Sequence, residues 1–400
     1  MTLNIIITLC SLMLLAYIFD ITAPKTKIPS VVMLLLLGWL VKQTAFYLNL
    51  NIPNLEPVLP VLGTIGLVLI VLEGALELEF NRTKVTVLKR SILLALVALI
   101  LLSGAGAWVL HVYFGYGLKA SIINAIPLFI ISSAIAIPSV QHFSPIKKEF
   151  VTYESSLSDI LGVIFFNFFV LNEVIGFFEV GLFFGQLILM IIISFVASVG
   201  LAFMLSRIKH NIKFAPIILS MIFIYTLAKI YHLPALIFIL VFGLLLGNLD
   251  ELTNFNWIKK LKPEVLDREV GKFHEIGSEA TFLVRSLFFL MFGFLIEAKD
   301  LLDTNSLLIA VVVSAAIFAL RWVQLKLLKI NLDPMFFIAP RGLITILLYL
   351  SIPEEYRIDL INKPLILQII LISAFIMMIG LLLSKTGDAK SKIKSRLKRF

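Results

Sequence analysis

Long runs of apolar residues alternate with short polar stretches from one end of the chain to the other. A helix needs about 20 mostly apolar residues to cross a bilayer, and on this basis the pattern predicts thirteen membrane-spanning segments. The runs are continuous rather than alternating residue by residue, which excludes a β-barrel. We therefore predict an all-α polytopic membrane protein. The predicted spans are 3–19, 28–48, 58–78, 91–113, 118–142, 152–172, 181–205, 213–231, 234–249, 276–296, 305–325, 333–352 and 364–384.

The composition excludes several classes of function. Of the 400 residues 60% are hydrophobic and only 15% are charged, whereas a soluble protein is nearer half apolar and a quarter charged. The one cysteine, Cys10, excludes a disulfide framework and a cysteine-ligated metal site. The five histidines form no metal pair, and no polar segment is long enough for a nucleotide-binding domain. We predict that the protein is not an enzyme, needs no cofactor and is not an ATP-driven pump.

The basic residues orient the chain in the membrane. A formal net charge of +9 suggests a nucleic-acid partner in a soluble protein, but here most of the 34 lysines and arginines lie in one set of alternate loops and in the C-terminal tail. Such residues collect on the cytoplasmic side. We predict an outside N-terminus and a cytoplasmic C-terminus, with residues 387–400 forming a basic tail near anionic lipid. The expected partner is the lipid bilayer of a plasma membrane or bacterial inner membrane, not nucleic acid.

Ionisable residues inside the predicted spans are candidates for function, because a charge in the bilayer core costs at least a few kcal/mol. With a rise of about 1.5 Å per residue, Glu154 and Arg321 lie at matching depths, which predicts an ion pair. The other four lie deeper, near one level. For Arg285 two interpretations stay open: it competes with a cation for Asp159, or it forms a structural bridge to Glu73 or Glu279. The six residues are Glu73, Glu154, Asp159, Arg285, Arg321 and Arg341.

The sixth span carries a hydroxyl and a carboxylate on one helix face. Ser155 and Asp159 are four residues apart and so lie on the same side, whereas Glu154 points away from Asp159. Oxygen ligands of this kind suit a small hard cation. The alternative for Ser155 and Ser156 is that small residues allow close helix packing.

Two spans carry helix-breaking residues at mid-membrane. The fifth span contains Pro138 directly after residues 132–137 (Ser-Ser-Ala-Ile-Ala-Ile), and the twelfth contains Pro340-Arg341-Gly342. Interrupted backbone is tolerated where it lines a cavity or an ion site. A pair of interrupted spans in corresponding halves predicts a transporter with inverted repeats.

These motifs resemble those of the monovalent cation:proton antiporter superfamily, and specifically its electroneutral sodium/proton exchanger branch. Glu154-Ser155-Ser156-Leu157-Ser158-Asp159 is similar to the sixth-span motif Glu-Ser-x-x-Asn-Asp, and Pro340-Arg341-Gly342-Leu343 resembles the twelfth-span motif. Arg321 falls where the family has the arginine that bridges to the motif glutamate. The segments 72–78 and 288–293 are similar to the family's third and tenth spans. The resemblance covers essentially the whole chain.

The chain departs from the family pattern at two places. Ser158 replaces the family asparagine. The fifth span normally has Thr-Asp-Pro at its break, yet no Asp or Glu occurs between Glu79 and Glu149. In this respect the fifth span resembles the potassium-efflux branch, so both sodium and potassium stay open as the transported cation.

The resemblance implies secondary active transport in which Asp159 binds either a proton or a monovalent cation. The expected exchange of one for the other is electroneutral. The predicted cation site also contains the side chains of Ser155, Ser158 and Glu73. Backbone carbonyls of Ser133, Ala134 and Ile135 are expected to complete the oxygen shell. Arg341, Arg285 and the half-helix ends are expected to compensate charge at the breaks.

The family also implies a homodimer in which a core bundle moves against a scaffold. Residues 1–386 are expected to form one transport domain. Its scaffold spans lie within about 1–90 and 181–275, and its core spans within about 58–172 and 276–386. Two other classes of function stay open on the same scaffold: a passive or gated ion channel, and a membrane sensor that has lost exchange.

Overall fold

The structure is a computed structural model that describes residues 2–26, 28–48, 57–78, 85–141, 143–172, 177–207, 214–231, 233, 235–248 and 263–384. All regular elements in these ranges are helical. The predicted basic tail lies outside the described residues. The helices are α1 (Thr2–Thr26), α2 (Ser30–Tyr47), α3 (Val58–Leu76), α4 (Val85–Val112), α5 (Leu118–Ala125), α6 (Ser133–Ser139), α7 (Pro145–Leu171), α8 (Phe177–Arg207), α9 (Phe214–Ile230), α10 (Leu236–Gly247), α11 (Pro263–Phe294), α12 (Ala298–Leu302), α13 (Thr304–Leu327), α14 (Leu332–Met335), α15 (Leu343–Leu350) and α16 (Lys363–Leu383), with 3₁₀ turns at Ile126–Phe129 and Glu354–Tyr356.

These helices accommodate all thirteen predicted spans. Nine described segments are long and apolar enough to cross a membrane, and Ile7–Ala23, Phe214–Ile230 and Leu236–Gly247 are shorter apolar helices. The remaining predicted span, the twelfth, is divided between α14 and α15. The all-α membrane fold predicted from the sequence is confirmed.

Local sequence signals explain where several helices begin. α7 begins at Pro145, a residue suited to the first helical position because it lacks an N–H donor. α16 begins after Asn362, whose side chain accepts a hydrogen bond from the backbone N–H of Leu365. The connector between the ninth and tenth predicted spans, residues 250–275, is helical in its described part, because residues from Pro263 onward already belong to α11. The rest of that connector lies outside the described residues.

The helices contact one another in two groups. In the first, α11 packs against α2 and α3, and α10 packs against α3 and α8. In the second, α7 packs against α4 and α6, and α13 packs against α16. α3 contacts α7 directly, and α15 contacts both α3 and α7, so the two groups are joined. The division into a fixed scaffold and a moving core stays a prediction.

Glycine allows the closest helix approach in the first group. A Cβ atom at Gly38 in α2 would lie 2.1 Å from the carbonyl oxygen of Leu290, and one at Gly293 in α11 would lie 2.3 Å from that of Leu35. The two backbones therefore meet at reciprocal glycines. A side chain at either position would force α2 and α11 apart.

Candidate functional site

The interruptions of the fifth and twelfth spans meet inside the protein. The fifth span unwinds at residues 130–132 and the twelfth at 338–342, and both segments are buried. The backbone N–H of Ser132 donates a 2.9 Å hydrogen bond to the carbonyl of Pro340. The two breaks thus cross at one point, where unwound backbone contacts protein rather than lipid.

Arg341 satisfies the backbone groups that the breaks set free. Its side chain is 1% exposed and donates hydrogen bonds to the carbonyls of Leu128 (3.1 Å), Phe129 (3.3 Å) and Ala339 (2.7 Å). Its own N–H donates to the hydroxyl of Ser373 at 3.0 Å. Carbonyls at a helix end carry partial negative charge. The structure therefore places Arg341 where charge compensation at the break was predicted.

Asp159 lies on α7 beside the crossing and is 1% exposed. Its Oδ2 atom accepts hydrogen bonds from the hydroxyl of Ser133 at 2.5 Å and from the N–H of Ser133 at 3.1 Å. Its Oδ1 atom has no hydrogen-bond partner among the described residues. Since Ser133 is the first residue of α6, the carboxylate faces the N-terminal end of this half-helix.

This geometry corrects the predicted role of the fifth-span backbone. Carbonyls of Ser133, Ala134 and Ile135 were expected to complete an oxygen shell, but these residues form the first turn of α6. The amide groups of a first turn have no acceptor within the helix, so an N–H donor rather than a carbonyl oxygen points at Asp159. The carbonyl of Ile135 instead accepts from the hydroxyl of Ser139 at 2.7 Å.

The hydroxyl that contacts Asp159 is that of Ser133 rather than Ser155. Ser155 donates to the carbonyl of Val151, one turn earlier in α7, at 2.8 Å. Ser158 accepts a hydrogen bond from the N–H of Ile131 at 2.9 Å. Ser158 therefore ties the unwound part of the fifth span to α7.

Glu154 and Arg321 form a buried ion pair. The guanidinium donates to both carboxylate oxygens, at 2.6 and 3.1 Å, and the two side chains are 3% and 4% exposed. The arginine also donates to the carbonyl of Met335 at 2.8 Å. These contacts join α7, α13 and α14. The structure thus brings together the two residues whose depths match in the sequence.

Arg285 contacts none of the partners proposed from the sequence as closely as it contacts Asp20. Its Nη2 atom lies 3.4 Å from Oδ1 of Asp20. The same oxygen accepts a 3.0 Å hydrogen bond from the hydroxyl of Ser30, whereas Glu279 is exposed. Asp20 was missed because the predicted first span ends one residue before it, while α1 continues to Thr26.

A cavity of about 250 Å³ leads to this region. One wall comes from α1, α3 and α11 and contains three carboxylates and one guanidinium. The opposite wall comes largely from α6. Ser133 both lines the cavity and contacts Asp159, so a single residue connects the cavity wall with the buried carboxylate. The lining residues are Asp20, Ile70, Glu73, Gly74, Glu77, Arg285, Ser133, Ala134, Ile137, Pro138 and Gln141. Glu73 thus lies at the cavity wall, and no hydrogen bond between it and Asp159 occurs in the described structure.

A second cavity, of about 270 Å³, lies at the other end of the same helices. Its lining includes Pro60 of α3, Leu350 of α15 and Arg357. Pro60 and Ile70, which belong to the two cavities, are about 15 Å apart along α3 at the usual helical rise. Between them α3 packs tightly, because a Cβ atom at Gly63 would lie 2.1 Å from a methyl group of Leu347. Protein therefore separates the second cavity from Asp159.

Three comparisons with known proteins bear on this arrangement. The model of the family described as "Sodium/hydrogen exchanger, transmembrane" matches residues 10–386. No curated protein sequence matches the chain. The fold is similar to that of the sodium proton antiporter MjNhaP1 from Methanocaldococcus jannaschii at pH 8, with a TM-score of 0.64, 17% identity and 96% of each chain covered. An electron-microscopy structure of the same antiporter gives a TM-score of 0.66 at 17% identity, covering 96% of this chain and 95% of that one.

Proposed function

Because the chain belongs to the sodium/hydrogen exchanger family, we propose that it exchanges one monovalent cation, Na⁺ or K⁺, for one proton at Asp159. The observation that carries this assignment is the isolation of the Asp159 carboxylate. Three carboxylates are buried among the described residues. Glu154 pairs with Arg321 and Glu269 contacts Lys272 at 3.8 Å. Asp159 contacts two donor groups of one serine, Ser133, and no basic side chain among the described residues.

The chemistry of the site follows from that isolation. A buried carboxylate without a basic partner is costly while it is charged, and either a proton or a monovalent cation removes the charge. The two ligands compete for the same oxygens, so binding of one requires release of the other. Each half-cycle then carries one positive charge, and the exchange is electroneutral.

The two cavities support alternating access. Ser133, which contacts Asp159, lines the 250 Å³ cavity, and the tight packing of Gly63 against Leu347 lies between that cavity and the second one along α3. Movement of α6, α7 and α15 against α2, α3 and α11 would reverse this pattern. With the N-terminus outside, as the loop charges predict, the open cavity faces the cytoplasm of a plasma membrane or bacterial inner membrane.

We also propose that the protein is a homodimer. Ile188, Ile192 and Val196 are spaced four residues apart on α8 and are 57% to 67% exposed, so they form one apolar stripe. α8 packs against α10 and lines neither of the two described cavities, which suits a fixed dimer contact. Crosslinking in membranes and mass measurement in detergent test this state, and a monomer in both would reject it.

The function is tested in proteoliposomes with an imposed pH gradient. We expect cation-dependent proton flux in the wild type, no flux in Asp159→Asn, and normal flux in the control Asp359→Asn, which alters an exposed aspartate. Clamping the membrane potential should leave the rate unchanged. Flux that persists in Asp159→Asn rejects the proposal. Currents that reverse independently of the proton gradient indicate a channel, and cation-dependent stabilisation without flux indicates a sensor.

A further inference from the structure

Three buried side-chain oxygen atoms on α7 lack a hydrogen-bond partner in the described part of the chain. One is the hydroxyl oxygen of Thr152, which lies about two turns before Asp159. The other two are Oδ1 of Asp159 and the hydroxyl oxygen of Ser156. The two residues are 1% and 3% exposed. Buried polar atoms nearly always have a partner, so a pair of them on one helix needs an explanation. Because the residues are three apart in a helix, their side chains lie on one face, one turn from each other.

A glycine of α3, Gly74, lies between the 250 Å³ cavity and Ser156. Gly74 lines the 250 Å³ cavity. A Cβ atom at this position would lie 2.6 Å from the hydroxyl oxygen of Ser156 and 3.4 Å from its Cβ atom. The absence of a side chain at residue 74 thus leaves the Ser156 hydroxyl next to the cavity wall, and a methyl group there would push it out of place.

The neighbouring serines have other contacts. The hydroxyl of Ser155 donates to the carbonyl of Val151, and that of Ser133 donates to Oδ2 of Asp159. Oδ2 also accepts the N–H of Ser133. Both donors therefore bind one carboxylate oxygen, and the other oxygen is left without a donor, on the helix face that Asp159 shares with Ser156. A hard cation needs oxygen lone pairs, and the carboxylate oxygen and the hydroxyl oxygen both offer them.

From this geometry we infer that Ser156 supplies a hydroxyl ligand to the transported cation, together with Oδ1 of Asp159, and that Gly74 keeps that hydroxyl in position. The inference rests on the proposed function, because it names a further ligand of the same site. It assigns Ser156 a role in cation affinity and none in proton binding. Protonation of Asp159 needs only the carboxylate, whereas a cation gains a second oxygen from Ser156.

Cation titrations in proteoliposomes test the assignment. We expect Ser156→Ala to raise the KM for the cation by about tenfold or more, because the cation loses the hydroxyl as a ligand. The pH midpoint of exchange, extrapolated to zero cation, should stay at its wild-type value. The matched control is Ser198→Ala, which removes another buried hydroxyl without a described partner, in α8. This control should leave the KM within twofold of the wild type.

A glycine variant tests the same contact without removing the serine. Gly74→Ala should raise the KM to a similar extent because its methyl group displaces the Ser156 hydroxyl. Gly104→Ala is the control, since a Cβ atom at residue 104 meets no atom within 4 Å. The double variant Gly74→Ala/Ser156→Ala should be no worse than either single variant, because both changes remove one interaction. Additive effects would overturn the inference.

Failure of this inference is distinguishable from failure of the proposed function. If the wild type exchanges cations and Ser156→Ala keeps the wild-type KM, the role of Ser156 is rejected and the exchange function stands. If the wild type shows no flux, cation-dependent thermal stabilisation decides the binding role. Stabilisation of the wild type that is lost in Ser156→Ala and kept in Ser198→Ala supports the ligand assignment. Equal stabilisation, or none, in all three rejects it.

Discussion

Ser133 donates both its hydroxyl and its backbone N–H to the same oxygen of Asp159, at 2.5 and 3.1 Å. One residue thus binds the Asp159 carboxylate through two groups and also lines the neighbouring 250 Å³ cavity. The fifth span lacks an acidic residue at its break. Ser133, at the start of α6, interacts with Asp159 through neutral dipoles, so Asp159 is the one acidic group at the crossing among the residues that the structure describes.

The hydroxyl of Ser133 should tune the competition between proton and cation. Ser133→Ala removes one of two donors that stabilise the charged carboxylate, so a proton should stay bound to higher pH. We expect the pH midpoint of exchange to move upward by about one unit, measured from flux at a fixed cation concentration. Ser133→Thr keeps a hydroxyl and should restore most of the wild-type profile. A downward shift in Ser133→Ala would contradict this role.

The ion pair between Glu154 and Arg321 should matter for stability more than any exposed pair. Arg321→Ala leaves a buried carboxylate without its partner, which costs about 3–5 kcal/mol, so the Tm in detergent should fall sharply. The double variant Glu154→Gln/Arg321→Met removes both charges and should recover a large part of the loss. Lys299→Ala breaks an exposed 2.6 Å pair with Glu297 and should leave the Tm unchanged. Equal losses in the single and double variants would show that the pair is not the cause.

Much of this architecture is predictable from the sequence because the bilayer restricts it. A span must be long and apolar, so thirteen segments are visible before any packing is known. The breaks are marked by Pro138 and by Pro340-Arg341-Gly342. The pairing of Glu154 with Arg321 follows from their matching depths in the membrane. An unpaired charge in a low-dielectric medium is costly, so two opposite charges at one level are expected to form an ion pair.

The details of the proposed ion site depend on contacts between helices, and the residue pattern within a single helix does not predict these contacts. Periodicity shows that Ser155 and Asp159 share a face of α7, but it does not show that the start of α6 meets Asp159. The contact of Arg285 with Asp20 was missed for a related reason. Hydropathy ends the first span before Asp20, whereas α1 continues, with the hydroxyls of Thr22 and Thr26 bonded to backbone carbonyls one turn earlier.

Arg341 should not tolerate replacement by lysine. Its guanidinium bonds to three carbonyls from both interrupted spans, and an ammonium group cannot reproduce this planar set of donors. We expect Arg341→Lys to lower the exchange rate by about tenfold or more while the protein still purifies as a folded species. The control Arg285→Lys changes a residue with a single 3.4 Å ion-pair contact and should keep more activity. Full activity in Arg341→Lys would show that only its charge is needed.

Asp20 and Arg285 should change the cation affinity in opposite directions. Both line the cavity, and its net charge sets the local cation concentration. Asp20→Asn removes a negative charge and releases the guanidinium into the cavity, so the KM for the cation should rise about two- to fivefold. Arg285→Gln removes a positive charge and should lower it. Both effects should weaken at high ionic strength. A change of the same sign in both variants would contradict an electrostatic role.

The sidedness of the two cavities can be tested with introduced cysteines, because the sequence contains only Cys10. In a Cys10→Ser background, Gln141→Cys places a thiol in the 250 Å³ cavity and Arg357→Cys places one in the 270 Å³ cavity. With the N-terminus outside, a membrane-impermeant thiol reagent should label the first from the cytoplasmic side and the second from the outside. Saturating cation should change the labelling rate of Gln141→Cys if occupancy of Asp159 allows the core to move. Labelling of both positions from one side would reject the proposed orientation and the access route derived from it.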